Sequence, residues 1–560
     1  MRLKSGKPAT LLGAVACMLF ITGSQISAAK KNIIMLIPDG SDASVQTVAR
    51  WYKGSPLMLD SMRRGAVKTW CANSIITGSA AAATAFATGF KTTEPFVGVG
   101  PRTSDAISTY EFPYPPGLMS YRPLATVLEG AKAAGKATGL VATATISHAT
   151  PASFGAHIDN RNNEQGIIEH LVHQNINVVF GGAREYLTTR TDGENLRDTL
   201  ISRGYQWVET RNAMLGLHSG NVWGMFAGKA MQPDIDRAEF APAEPSLAEM
   251  TQKAIELLSQ DPDGFFLMVE GSQVDWAGHN NDPIYRITDY LAFDEAVRVA
   301  VEFARRDTNT IVLAFPDHNT GGMTIGSYYS DSKIPYDSLS PEALVDPLRG
   351  MLLTSVGVSK KIADTTDPDQ IRAAVQTWWN ISLTDDDVDE ILNWPHSSSF
   401  NYRLATVVSK NYTAIGWTTH GHNGGDVPLW YYESALVNNG GVFVDHTIEN
   451  TSLAKAVFAF MGIDRLTLNV QLFVDIAQSP LKDFWSIDST DSDNPVLVVS
   501  ANGFTARLPI SKDEAYIPDH PYSTPVKYLL DGLVVYAPAT NRVYLPETAI
   551  SLILSKYGTY

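Results

Sequence analysis

Cysteine is nearly absent: the 560 residues hold two, Cys17 and Cys71. Cys17 falls in the N-terminal leader described below, so no internal bridge remains and a disulfide-stapled fold is excluded. Cys71 has neither a basic neighbour nor a helix start beside it, and reads as a structural thiol. Positive charge is in deficit, with 43 Lys and Arg against 59 Asp and Glu, a formal net charge of -16. That balance argues against nucleic acid, whose backbone must be neutralised by Lys and Arg. An anionic ligand would need local positive charge, which metal ions can provide. Past the leader no apolar run reaches membrane-spanning length, and there is no solenoid-period repeat or low-complexity segment.

What is present begins with that leader. Arg2, Lys4 and Lys7 precede an apolar stretch from roughly Ala9 to Ile21, and Ser27, Ala28 and Ala29 are small residues suited to cleavage. Residues 1–29 therefore read as a secretory signal, and the protein is expected to be periplasmic or secreted. The stretch is short for an anchor helix. The apolar MLFI after Cys17 speaks against a lipoprotein signal.

Three short apolar runs each end in an acid: NIIMLIP before Asp39, FFLMV before Glu270 and TIVLAFP before Asp317. Each has the length and branching of a buried strand. Helix-patterned stretches lie between them, including Arg122 to Ala134, Ser246 to Gln260 and Tyr290 to Arg305. The expected fold is α/β, a mostly parallel central sheet with helices on both faces. Ligands bind outside the carboxyl ends of strands in such sheets, where the three acids would stand. Hard divalent metals are the matching ligand.

Two regions break the rhythm of the catalytic region, residues 30–479. Residues 327–410, rich in Asp, Ser and Pro, read as a cap inserted over the site. Its acidic run Asp385 to Asp387 reads as a solvated helix start, not a calcium site. Residues 480–560, with VLVVS, FTARLPI, LLDGLVVYAP and RVYLP between turns, read as a small β-rich unit. Every candidate ligand precedes this tail, so its removal is expected to leave a folded, active core.

Further candidates flank the acids. Asp275 and His279, in EGSQVDWAGH, are spaced i and i+4, one face of a helical turn. His318 follows Asp317 directly, and TTHGHNGGD carries His420 and His422. Mixed Asp and His ligands suit zinc. Ser79 precedes AAAATAFATG, a helix-forming run that Gly89 can end, and is expected to be its N-cap. Its hydroxyl would then lie where helix amides favour an anion. SHATPASFGAHIDNR adds His148, Thr150 and Arg161. The hydroxyl and imidazole suit a metal or its water shell, and the guanidinium fork suits phosphate oxygens.

Taken in order, IPDG at Asp39, TGSAAAATAFATG at Ser79, SHATPASFGAH, Arg161, VEGSQVDWAGH, PDHNTGG and HGHNGGDVP resemble the alkaline phosphatases, two-zinc phosphomonoesterases. The resemblance spans roughly Lys31 to Asp475. It implies hydrolysis of phosphate monoesters at alkaline pH through a phosphoserine at Ser79. It implies two Zn2+ ions, the first on Asp275, His279 and His422 and the second on Asp39, Asp317 and His318. It also implies a third metal, usually Mg2+, on Glu270, Thr150 and the shared Asp39, with Arg161 clamping the phosphoryl oxygens.

Three features depart from the family pattern. His148 and Trp276 stand where some members have an acid and a lysine; His148 would make the third site more zinc-like. His420 and His422 share one loop, and the resemblance favours His422 as ligand. Gly78 stands where members often carry an acid that holds the arginine. Arg161 is thereby left without a partner near Ser79 in sequence, so Gly78→Asp is expected to tighten phosphate binding.

The expected partners are small phosphate monoesters, with no nucleic acid and no stable membrane span after leader removal; a homodimer is the one assembly considered. The alternatives are a phosphodiesterase of the same superfamily and a non-catalytic surface or adhesion protein. A sulfatase is disfavoured because Ser79 lacks the proline and arginine that follow a sulfatase nucleophile.

Overall fold

The computed structural model describes residues 31–102, 104–105, 120–327, 335–433, 446–501 and 503–557. The leader lies outside the described residues.

A ten-stranded sheet forms the centre. Its strands in chain order are β1 (Asn32–Pro38), β2 (Arg63–Lys68), β3 (Ala137–Thr145), β4 (Val178–Gly182), β5 (Gln206–Val208), β6 (Val222–Met225), β7 (Phe265–Gly271), β8 (Thr310–Ala314), β9 (Val427–Glu433) and β10 (Thr447–Glu449). Across the sheet they run β10-β2-β9-β8-β1-β7-β3-β4-β6-β5. β9 alone is antiparallel to its neighbours; the remaining pairs are parallel.

The apolar runs behave as their composition dictates. All seven residues of β1 are buried, as befits a parallel strand covered on both faces. Its side chains alternate between two cores: Ile34 and Leu36 enter one, Ile33, Met35 and Ile37 the other. β7 and β8 flank β1, with Ile37 opposite Glu270 and Leu36 opposite Ala314. The three acid-terminated runs are therefore adjacent, and their carboxyl ends share one sheet edge.

Several helices start later or run longer than their apolar spacing predicts. Val127–Ala133 begins only after Thr126, which forms a capping box with Glu129. Pro283–Arg306 starts seven residues before Tyr290 because Asp282 accepts the Tyr285 amide and Pro283 occupies the first turn.

The 327–410 region supplies five α-helices among its described residues, the last running just past its end: Pro341–Arg349, Ser355–Ile362, Pro368–Trp379, Asp385–Leu392 and Phe400–Tyr412. Their apolar faces join the core that also holds Pro283–Arg306. The last of them packs against Gln273–Asn280. Asp387 caps its own helix, accepting from the Thr384 amide and hydroxyl.

The C-terminal part is an antiparallel β-rich region. Five strands, Trp485–Asp488, Val496–Ala501, Phe504–Pro509, Glu514–Pro518 and Pro525–Leu529, pair in sequence order. The tail is more firmly joined than its turn pattern implies. Arg542–Leu545 pairs with Val474–Asp475, upstream of residue 480, and Leu533, Val535, Ala537 and Tyr544 enter a core of the main sheet. Asp513 lies 2.6 Å from His173 Nδ1 and accepts from Arg203 at 2.8 Å. Removing residues 480–560 would take these apolar side chains out of that core and leave His173 and Arg203 without Asp513, which argues against the expectation of an intact core.

Candidate active site

The edge formed by β1, β7 and β8 collects the acids. Asp39, Glu270 and His318 are each 0 % exposed. Gly40 turns the chain after Asp39 with φ +65, donating its amide to Asp317 Oδ1 at 3.0 Å. A Cβ at Gly40 would lie 2.5 Å from Asp275 Oδ1, so backbone conformation and close approach both require glycine. Asp275 and His279 project from Gln273–Asn280, with Nε2 of the histidine 3.3 Å from Oδ2 of the aspartate. The distant HGH loop is fastened by a two-residue strand, His422–Asn423, antiparallel to Asn319–Thr320. That pairing sets His422 beside His318, their rings stacked at 3.7 Å.

At this edge three groups of side chains each bring their ligand atoms within 4.8 Å of one another: Asp275, His279 and His422; Asp39, Asp275 and His318; and Asp39, His148 and Glu270. Asp317 joins the second group, its Oδ2 3.2 Å from His318 Nε2. Thr150 Oγ1 donates to Asp39 Oδ2 at 3.4 Å, beside the third. His420 turns away: its Nδ1 meets the His279 carbonyl oxygen at 2.9 Å and its ring stacks on Tyr402 at 3.8 Å.

The donor set fits divalent cations. Asp39 Oδ1, both Glu270 oxygens, Asp317 Oδ2 and His148 Nδ1 are buried with no hydrogen-bond partner among the described residues. Such atoms are expensive to leave unpaired. Burial, reinforced by Asp317, Asp275 and Glu270, raises the Asp39 carboxyl well above its ordinary range. Burial pushes Glu270 up to about 7 and also raises Asp317. Asp275 goes the other way: burial opposes, but the hydrogen bond from the adjacent His279 holds it low. Burial, then His422, keeps His318 neutral. Burial, then Arg161, lowers His148 to about 3. His279 differs: burial opposes, but Asp275 raises its pKa. Buried carboxyls crowded together and forced toward protonation are a site whose mutual repulsion a bound cation relieves.

Ser79 faces this cluster, but not as an N-cap. Gly78 holds that position and Ser79 is the first helical residue of Ser79–Thr88. Its hydroxyl makes no capping bond; it lies 3.2 Å from His318 Nε2. Arg161 Nη2 donates to His148 Nε2 at 3.0 Å, and its Nη1 lies 3.7 Å from Glu94 Oε1. Trp276 meets the His148 ring edge-on at 5.8 Å. Glu94 escaped the sequence reading because no motif marks it. The Gly78→Asp expectation is also corrected, since a Cβ at Gly78 would sit 2.6 Å from Glu94 Cδ.

Comparison with known proteins places this arrangement. The alkaline phosphatase family model matches residues 30–463. Alkaline phosphatase 3 of Bacillus subtilis is 34 % identical over 446 residues, 76 % of this chain and 88 % of that protein. The Thermus thermophilus alkaline phosphatase structure gives a TM-score of 0.67 at 25 % identity, covering 78 % of this chain and 95 % of its own. The cold-active alkaline phosphatase of a psychrophilic Shewanella gives 0.64 at 26 % identity, covering 77 % and 99 %. With the family match running from the first sheet strand past the HGH loop, the chain belongs to the alkaline phosphatase family and hydrolyses phosphate monoesters.

Proposed function

We propose that Ser79 is the nucleophile of this hydrolysis and that Arg161 clamps the phosphoryl oxygens. The observation that carries this reading is the Ser79 hydroxyl at a helix start, 3.2 Å from His318 and beside three groups of metal-ligand atoms. Ser79 Oγ forms a bond to phosphorus as the bond to the leaving alcohol oxygen breaks, and the alcohol departs with a proton. Water then attacks the phosphoserine, the Oγ–P bond breaks, and inorganic phosphate leaves. Arg161 presents a planar fork to oxygens whose charge is spread in the transition state.

Asp275, His279 and His422 would hold one Zn2+, and Asp39, Asp317 and His318 a second. Glu270, Thr150 and Asp39 would hold Mg2+, with His148 drawing that site toward Zn2+. When bound, these ions supply the positive charge that lowers hydroxyl and water pKa values and offsets charge on the leaving oxygen. The shared carboxylates Asp39 and Asp275 fix the spacing of the three groups. His279 is oriented by the His420 carbonyl oxygen, 2.5 Å from its Nδ1, and His422 by the Thr77 carbonyl oxygen at 2.9 Å. The signal-like leader supports a periplasmic or secreted location.

The test is acid-quench trapping with a chromogenic monoester, followed by peptide mapping of the phosphoryl group. Label is expected on Ser79. Ser79→Ala should lose it, with turnover down by at least on the order of 10³ and metal content unchanged. Label at Thr77 or Thr84 would overturn the assignment.

A further inference from the structure

Gly78 leaves the position before Ser79 without a side chain, and the structure fills that space from elsewhere. Gly89 ends the Ser79–Thr88 helix in left-handed backbone, and the chain doubles back. Ala72 N donates to Thr92 O at 2.9 Å, and the Glu94 amide donates to Asn73 Oδ1 at 2.9 Å. The returning segment is thereby fixed beside the approach to the helix. An ideal Cβ on Gly78 would lie 2.6 Å from Glu94 Cδ and 2.8 and 2.9 Å from its two oxygens. The Glu94 carboxylate thus occupies the volume an acid at residue 78 would use.

That carboxylate has two tethers. Oε2 accepts from the Ala81 amide, in the first turn of the Ser79 helix, at 3.1 Å. Oε1 faces Arg161 Nη1 at 3.7 Å, with the two side chains 27 % and 21 % exposed. The distance exceeds a hydrogen bond but remains a contact between opposite charges, partly shielded from solvent. Backbone reinforces the pair, since Arg161 N donates to Pro95 O at 3.0 Å.

The geometry points to Glu94 as the positioning residue of the phosphate clamp: anchored on the nucleophile's own helix, its carboxylate restrains the Arg161 guanidinium in place of an acid at residue 78. This rests on Arg161 being the clamp. A guanidinium on a long stem loses rotamer freedom when it grips phosphate, and holding it beforehand reduces that loss. Gly78 follows from the same arrangement, because any side chain there pushes the carboxylate off the arginine.

The experiment measures the inhibition constant for inorganic phosphate, KM and kcat on a chromogenic monoester, metal content and melting temperature. The variants are Glu94→Gln, Glu94→Ala, Gly78→Ala, Arg161→Ala and the double variant Gly78→Asp/Glu94→Ala. Glu94→Gln and Glu94→Ala are expected to raise the inhibition constant and KM by roughly three- to tenfold, with metal content unchanged. Gly78→Ala should shift them in the same direction with both charges still present. Moving the carboxylate, in the double variant, should recover most of the loss. If Arg161→Ala weakens phosphate inhibition while Glu94→Gln leaves it unchanged, Arg161 is the clamp and Glu94 does not position it. If Arg161→Ala also changes nothing, the clamp reading itself fails. A Glu94→Ala loss that the double variant does not recover, with metal content and melting temperature falling together, makes Glu94 a structural prop and overturns the proposal.

Discussion

His420 and His422 stand two residues apart, and the short pairing with Asn319–Thr320 sends their rings in different directions. His422 reaches Asp275 and His279; His420 is spent on the His279 carbonyl and the face of Tyr402. His422→Ala should therefore lose about one metal ion per chain and on the order of 10²-fold or more in activity, read by elemental analysis and turnover together. His420→Ala should keep its metal and show a smaller loss. The reverse pattern would mean that the loop presents the other ring. At this scale the acids were legible in the sequence, because a carboxylate that closes a buried apolar run has one place to go, the sheet edge. Ser79 was placed in the right turn but given a capping role that Gly78 takes. Glu94 was not legible: it lies 13 residues after the Ala81 amide that it meets, and only the folded return of the chain brings it there.

At the scale of elements, the mostly parallel character of the sheet was readable from a few apolar runs, whereas the strand order and the attachment of the tail were not. Strands such as FTARLPI show alternation, but nothing in them indicates what lies beneath. The terminal helix Glu547–Tyr557 and the strand Glu514–Pro518 passed unnoticed among short apolar pieces. The join depends on Asp513, a buried carboxylate between His173 and Arg203. Burial opposes ionisation there, but the His173 and Arg203 bonds hold its pKa below the ordinary 3.8. A depressed carboxylate stabilises above its unfolded value and loses that contribution as pH falls toward its folded one. Asp513→Asn should destabilise by about 3 kcal/mol at neutral pH. The gap from wild type should narrow below pH ~3.8. Thermal unfolding and limited proteolysis of the tail junction at pH 7 and pH 3 check this; a gap independent of pH would remove the charge explanation.

For the whole molecule, the buried carboxylates couple metal to stability as well as to chemistry. Asp39, Glu270 and Asp317 converge at the middle of the main sheet, so a ligand that neutralises them binds the folded state far better than the unfolded chain. Dialysis against a strong chelator should abolish turnover and lower the melting temperature, and added Zn2+ with Mg2+ should restore both. Lost activity with an unchanged melting temperature would show that the ions do not support the fold. The position of β1 has a consequence of another kind. Its side chain Asn32 bonds Thr310 across 278 residues of chain, and both neighbouring strands, β7 and β8, are made long after it. A chain synthesised from its N-terminus therefore carries NIIMLIP with both edges open through much of translation. Such an unpaired apolar strand is a template for aggregation, so this heptapeptide is open to misassociation until its partners emerge.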